Sequence, residues 1–510
     1  MRQSIRCWVL AAGLAGLAAP ALAQTLVVAA LKTPGGVDGD ALKPGTQNAV
    51  TQVYEGLTAY ARTVDADGVG RLDFTKVVPH LAEGWTVTPD GRTYVFTLRK
   101  GVRSFFGNEM TAADVVWGWE KSIAQKRTGL FIANVTGVEK IEALDTHVVR
   151  FSLRAPSMVF LHLLTNYVPA IYDSTEVRKH ATPEDPWALR WIDANTAGFG
   201  PYHMESVRQG EQAIFVANPN YFGGAPHYKR VVYREIPSGS SRYQLLLAGQ
   251  AQWIEELTHK QVADLRRDRR VKVVGVEGTA MASVRMNTRF KPFDDVRVRR
   301  AMALATDYDG INAAVFEGLA TRPRSIVPPI IPGHLASLPL VQPDAARAKA
   351  LLAEAGYPNG FDTEIVSYVL PQWGAAVQGF LGAVGIRAKL SQLQVQAVVQ
   401  RNQRGESPSN LGSWGSFSIN DVSAILPVYF GGGADDYSRD PELIRLLEQA
   451  GSTMDAAARK TAYSAVIKRA TEQAYWVPLH TYVTTYGLSR NLELKTYPDE
   501  LPRFWLSKWK

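Results

Sequence analysis

The chain has 510 residues, 46% of them hydrophobic and 20% charged, with a formal net charge of +8 and one cysteine. That much apolar material excludes the disordered class, and a single core rarely grows past about 250–300 residues, so two or three domains are expected. One cysteine excludes an intrachain disulfide framework, so stability must come from large cores.

Met1 to Ala23 reads as an export signal: Arg2 and Arg6 at the start, an apolar run from Trp8 to Ala19, and the small-x-small site Ala21-Leu22-Ala23 before Gln24. The run is too short for a membrane span, which needs ~20 apolar residues. Cys7, the one cysteine, leaves with the signal, and no cysteine follows a lipid-attachment site. Cleavage after Ala23 leaves 487 residues with a charge of +6, since the signal carries two arginines and no acid. The product is expected in the periplasm, without a membrane anchor and with no nucleic acid as partner.

Gln24 to Leu31 suits a buried strand. Asp65-Ala-Asp67-Gly68 reads as a hairpin turn between Tyr60 and Arg71; it lacks the further oxygen ligands of a calcium loop. Thr93 to Arg99 puts Tyr94, Phe96 and Leu98 on one face, and Val149, Phe151 and Leu153 alternate likewise. Between them, Thr111-Ala-Ala-Asp114 is a capping-box pattern ahead of Val115. Val298, Ala301, Met302 and Ala305 fall at helical spacing, as do Ala348, Leu351, Leu352 and Ala355, which end at Gly356 with Pro358 beyond. Asp440-Pro441 is an N-cap and first-turn pair for a helix carrying Leu443, Leu446 and Leu447. The basic runs Arg266–Arg270 and Arg297–Arg300 read as solvated helix faces. Arg322 to Pro343 is proline-rich and aperiodic, an irregular connector. Strand-like and helix-like segments alternate throughout, which argues for an α/β architecture.

Catalytic constellations are missing from the linear sequence. The nine histidines include no His-x-x-x-His pair for zinc. There is no Gly-x-Ser-x-Gly elbow and no Gly-Lys-Ser/Thr phosphate loop. Gly431-Gly-Gly433 is a lone glycine cluster. No metal and no cofactor is expected.

Several strings in order resemble the family 5 extracellular solute-binding proteins of ABC importers, the peptide/nickel/opine group. They are Val53-Tyr-Glu-Gly-Leu57, Pro79-His-Leu-Ala-Glu-Gly-Trp85, Thr88 to Arg99, Thr111-Ala-Ala-Asp-Val115, Gly198-Phe-Gly-Pro-Tyr202, Asn287 through Lys291-Pro-Phe to Ala301, Ala353 to Phe361, and Trp476-Val-Pro-Leu479. They span roughly residues 25 to 505. The resemblance implies an α/β periplasmic-binding-protein-like flytrap of the class II type: two lobes, a two-segment hinge and an extra inserted domain. Lobe I would comprise 24–58, 198–283 and 482–510, the insertion 59–197, and lobe II 284–481. It implies a monomer that captures a small polar solute, in the first place a peptide or amino-acid derivative, and hands it to permease subunits in the inner membrane, without catalysis. An exported hydrolase, or a chaperone or chemoreceptor partner on the same fold, is the alternative.

The chain departs from peptide-binding relatives at their Trp-x-x-Asp-x-x-Asp-Pro string. The matching segment runs from Trp414 through Phe417 to Asn420-Asp421-Val422, with Phe417 at the first Asp position. The place of a dipeptide binder's carboxylate-binding arginine reads Leu370-Pro-Gln-Trp-Gly374. Asp421 is a candidate for a cationic ligand group, or a helix cap before Ser423. Arg285 stands in a strand where a small or apolar residue is expected, and needs a ligand carboxylate or an internal ion pair. Trp373, Trp414 and Tyr368 are the aromatic candidates, or core residues. The candidate ligand site is therefore Trp414, Asp421, Asn420, Trp373, Tyr368 and Arg285.

Overall fold

The computed structural model describes residues 24–40, 46–64, 70–157, 159–166, 169–316, 318–369, 371–414, 420–453, 455–494 and 503–509. Residues 1–23, read as an export signal, residues 65–68, read as a turn, Leu370 and Phe417 lie outside the described residues. The strands are β1 (Thr25–Ala30), β2 (Thr58–Val64), β3 (Gly70–Pro79), β4 (Ala82–Val87), β5 (Thr93–Leu98), β6 (Val138–Asp145), β7 (Val148–Leu153), β8 (Tyr202–Arg208), β9 (Gln212–Ala217), β10 (Arg230–Glu235), β11 (Trp253–Glu255), β12 (Val271–Met286), β13 (Phe361–Ser367), β14 (Ile386–Gln392), β15 (Ser409–Trp414), β16 (Trp476–Ser489), β17 (Leu492–Glu493) and β18 (Lys508–Trp509).

Ten strands form one mixed sheet in the order β14-β13-β15-β12-β16-β11-β1-β10-β9-β8. β1 lies parallel to both neighbours, and Leu26, Val28, Ala29 and Ala30 are fully buried, as a strand covered on both faces requires. β12 and β16 are the long strands that join the two halves. Their pairing runs from Val271 opposite Ser489 to Glu277 opposite Val483, shifts register around Met281, and resumes to Arg285 opposite Trp476. Such irregularities bend a strand locally. Beside the bend, Thr481 Oγ1 donates to Glu277 Oε1 at 3.0 Å and accepts from Thr321 N at 3.2 Å.

A separate antiparallel sheet, β4-β5-β7-β6, packs on the helix Ala112–Ala124. Tyr94, Phe96, Leu98, Val149, Phe151 and Leu153 are all buried, and the Trp119 ring lies 5.5 Å from that of Phe151. The capping box forms: Asp114 Oδ2 accepts from Thr111 N at 2.7 Å and Thr111 Oγ1 at 2.9 Å. From the same helix, fully buried Lys121 donates to Asp38 Oδ1 at 2.7 Å, Asp40 Oδ2 at 3.0 Å and Tyr172 Oη at 3.1 Å. Gly198 and Gly200 admit the Val53 carbonyl, which a Cβ would meet at 2.3 and 2.5 Å.

In the second half, the helix Val296–Ala305 buries Val298, Ala301, Met302 and Ala305, and the helix Ala345–Glu354 buries Ala348, Leu351 and Leu352. Asp440 caps the helix Pro441–Gly451 through Glu442 N. No helix or strand interrupts 322–343.

The reading of the basic runs as solvated faces needs correction at Arg299, which is 3% exposed. Its guanidinium donates to the carbonyls of Phe293 at 2.7 Å, Asp294 at 3.1 Å and Gln473 at 2.9 Å, and lies 4.7 Å from the Tyr475 ring centre. Three carbonyl acceptors and an aromatic face replace water around the charge. The other run is exposed, but it follows the helix His259–Leu265 instead of lying in it.

Candidate functional site

Cross-strand pairing sets up a polar row near the junction of the two halves. Val366 lies opposite Asn410, Asn410 opposite Arg285, and Arg285 opposite Trp476; directly opposite residues share a face. The Arg285 side chain is nearly buried, at 8% exposure. Its guanidinium sits 4.4 Å from the Tyr429 ring centre and 4.5 Å from that of Trp476. Nη2 donates to Ser413 O at 2.9 Å and Nε to Ser283 Oγ at 3.3 Å. Nη1 has no hydrogen-bond partner among the described residues, and no carboxylate of those residues pairs with this cation. Asp435 is close enough to feel it: burial raises the Asp435 carboxyl, and Arg285 partly opposes the rise. Tyr437, 4% exposed, is pushed up to about 12 by burial, again against the pull of Arg285.

Tyr368, one residue past the end of β13, closes a reciprocal pair with Ser413: its hydroxyl donates to Ser413 O and accepts from Ser413 N, both at 3.0 Å. Asn410, 1% exposed, donates to Val366 O at 3.2 Å, while its Oδ1 has no partner among the described residues. That oxygen lies over Gly412, where a Cβ would sit 2.5 Å from it and 3.3 Å from Tyr368 Cε1. The Ser367 hydroxyl is likewise buried and unpartnered. Buried polar atoms are normally satisfied, so this cluster holds unspent hydrogen-bonding capacity.

The helix Val422–Phe430 roofs the row, with Tyr429 near its end over Arg285. Asp421 caps its start, Oδ1 accepting from Ser423 N at 2.8 Å. Asn420 is 4% exposed and its Oδ1 is unpartnered. This end of the helix meets the β2 region. Burial raises the Tyr60 hydroxyl, with the Thr165 side chain and the Asn420 backbone opposing. Burial lowers His162, with Asp421 opposing, and Tyr60 Oη lies 3.2 Å from His162 Nδ1. Ala424 packs against both the core around Phe96 and Phe160 and the core around Tyr429 and Trp476.

The structure thus joins Arg285 and Tyr368 through Ser413 and sets Asn420 and Asp421 at the opposite end of the roofing helix. Trp414 contributes its backbone to β15, opposite Met281; its side chain lies outside the described set. Trp373 stands apart. It is fully buried, with its ring 5.3 Å from Phe316 and 4.8 Å from Tyr482, so it belongs to the core. The sequence reading passed over Asn410, Tyr429, Asp435, Tyr60 and His162, and used Trp476 only as a fold marker. A buried amide needs partners, but the polar stretch Ser409-Asn410-Leu411-Gly412-Ser413 carries no sign that this one is buried. Among the described residues no group of three or more His, Cys, Asp or Glu side chains could hold a metal ion.

Residues 76–436 match the model of the bacterial extracellular solute-binding proteins, family 5 middle region. The chain belongs to this family. Relatives of this family 5 protein include the "Probable D,D-dipeptide-binding periplasmic protein DdpA" of Escherichia coli K12, 28% identical over 86% of this chain and 85% of that one. Another is the "Probable di/tripeptide-binding protein 5" of Pseudomonas aeruginosa, 28% identical over 93% of both. Among solved structures, HbpA2 from Haemophilus parasuis superposes with a TM-score of 0.82 at 24% identity, covering 95% of this chain and all of that one. The family 5 fold, mixed α/β with several domains, is therefore that of this chain.

Proposed function

We propose that this family 5 protein is the capture component of an ABC importer. It is exported to the periplasm with cleavage after Ala23, takes a peptide or amino-acid-derived solute between two lobes, and delivers it to permease subunits in the inner membrane. Lobe I is 24–58, 198–283 and 482–510, the inserted domain 59–197, and lobe II 284–481; β12 and β16 are the crossing segments. Trp414, Asn420, Asp421, Tyr368 and Arg285 are the ligand-facing candidates.

The carrying observation is the approach of Asn420 and Asp421 to Tyr60 and His162, with polar atoms that have no partner among the described residues on Asn420 at that end of the roofing helix and on Asn410 and Ser367 toward the other. Groups from distant parts of the chain meet here, as ligand-driven closure requires: a solute touching both sides binds the closed state better. Moving from 1:99 to 99:1 closed takes about 5.5 kcal/mol of differential affinity. The names of the two curated relatives point to short peptides as the first solutes to test.

The test is a thermal-shift panel on refolded, ligand-stripped protein with di- to pentapeptides, opines, amino-acid–nickel chelates and sugars. A true ligand at 100 times its Kd adds about 2.7 kcal/mol. Stabilisation by peptides is expected; a response confined to another class reassigns the solute, and a panel without any response overturns the small-solute reading.

A further inference from the structure

Resting on the reading of this region as a solute site, we infer that Arg285 and Asn410 form a subsite for an acidic end group: a carboxylate on the guanidinium, and the N–H beside it on Asn410 Oδ1. That pair of groups is the C-terminal residue of a peptide, or any N-acylated α-amino acid.

The argument starts from charge. Arg285 is 8% exposed, and an isolated buried cation is costly. Arg299, at 3% exposure, shows how this chain settles such a charge with internal acceptors, through three carbonyl contacts. Arg285 has one carbonyl and one hydroxyl. Tyr429 and Trp476, whose ring centres are only 5.2 Å apart, pack together on one side of it, and the Nη1 edge has no partner among the described residues. A flat guanidinium with a free edge is suited to a carboxylate.

The second observation is independent. Asn410 lies directly opposite Arg285 on β15, is 1% exposed, and keeps Oδ1 unpartnered. Gly412 lies against that oxygen: a Cβ there would stand 2.5 Å from it, so the absence of a side chain at 412 is what gives Oδ1 its place. One unspent cation edge and one unspent acceptor therefore sit side by side, the complement of a carboxylate with a neighbouring N–H.

The experiment compares Ala-Ala and Ala-Ala-Ala with their C-terminal amides by isothermal titration on the full chain, on Arg285→Met and on Arg285→Lys. Wild type is expected to bind the acids at least tenfold tighter than the amides. R285M should lose that preference, and R285K should recover part of it. Equal binding of acid and amide by wild type, which needs no variant, overturns the subsite; so does a folded R285M that keeps the preference. If wild type binds no peptide in either form, the peptide reading fails, and the subsite is decided by mass spectrometry of what the full-length protein retains from a cell extract. A retained carboxylate compound depleted tenfold in R285M upholds the inference. A retained compound without an acid, one retained equally by R285M, or no retained compound overturns it.

Discussion

Lys121 Nζ donates to Asp38 Oδ1 at 2.7 Å across 83 residues of chain, with both side chains almost sealed from water. Burial works against ionisation of Asp38, but the Lys121 ammonium, the Tyr172 hydroxyl and the Asp40 backbone N–H together outweigh it and hold the carboxyl below its ordinary range. The pair, with Asp40 and Tyr172, fastens the segment after β1 to the helix Ala112–Ala124. Removing one partner strands the other charge, so Lys121→Met is expected to lose roughly 3–5 kcal/mol. Urea unfolding followed by far-UV circular dichroism reads this directly, and a loss below 1 kcal/mol would show that the cluster relaxes without its cation.

His480 supplies a pH dependence. It is fully buried with neither ring nitrogen partnered; burial, reinforced by Arg322, lowers it to about 4. The folded state thus binds fewer protons than the unfolded state, whose imidazole titrates near 6.5. Its contribution is intact above that value and is lost as pH falls toward 4. Between pH 7.5 and pH 5 wild type should lose about 2 kcal/mol more than His480→Phe. Parallel losses in the two proteins would remove His480 from the acid response.

Trp373 separates packing from binding. Trp373→Ala should cost about 3–5 kcal/mol through its cavity. Because its Nε1 makes no hydrogen bond, Trp373→Phe loses only packing volume and should stay within about 2 kcal/mol of wild type, with solute affinity unchanged. A tenfold affinity loss in a folded W373F would return this ring to the site.

Asp421 has two separable roles. Asparagine keeps the cap acceptor and discards the charge, so Asp421→Asn should hold stability near wild type while Asp421→Ala loses about 1 kcal/mol. If the carboxylate also meets a cationic solute group, D421N weakens binding at least tenfold at unchanged stability. Titration of Ala-Ala into both variants checks the pair of effects.

Local patterns were readable wherever the deciding contacts lie within a few residues. The alternation of Tyr94, Phe96 and Leu98, the Thr111–Asp114 box and the Asp440 cap all follow from near neighbours, and each formed. Arg299 was misread because its acceptors come partly from Gln473, 174 residues away, and helical spacing cannot report that. Arg285 stood out by its chemistry, but its surroundings arise from β15, β16 and the helix Val422–Phe430 together, and the internal ion pair is not formed among the described residues: two rings, a carbonyl and a hydroxyl stand in place of an internal acid. Asp421 was legible as a cap for the opposite reason, since the group it caps is two residues away.

β16 is the last of the ten sheet strands in the chain, yet it lies fifth in the sheet order, between β12 and β11. β14, β13, β15 and β12 can assemble without it, and so can β11, β1, β10, β9 and β8, but among the described residues no strand pairing joins one group to the other except through residues 476–489. A chain made N-terminus first therefore waits for one late strand with two unpaired edges exposed, β11 on one side and β12 on the other. Exposed edges of this kind invite pairing with a neighbouring chain. The interval before β16 inserts is thus when the new chain is most open to such pairing, and its length is set by how soon residues 476–489 follow the rest.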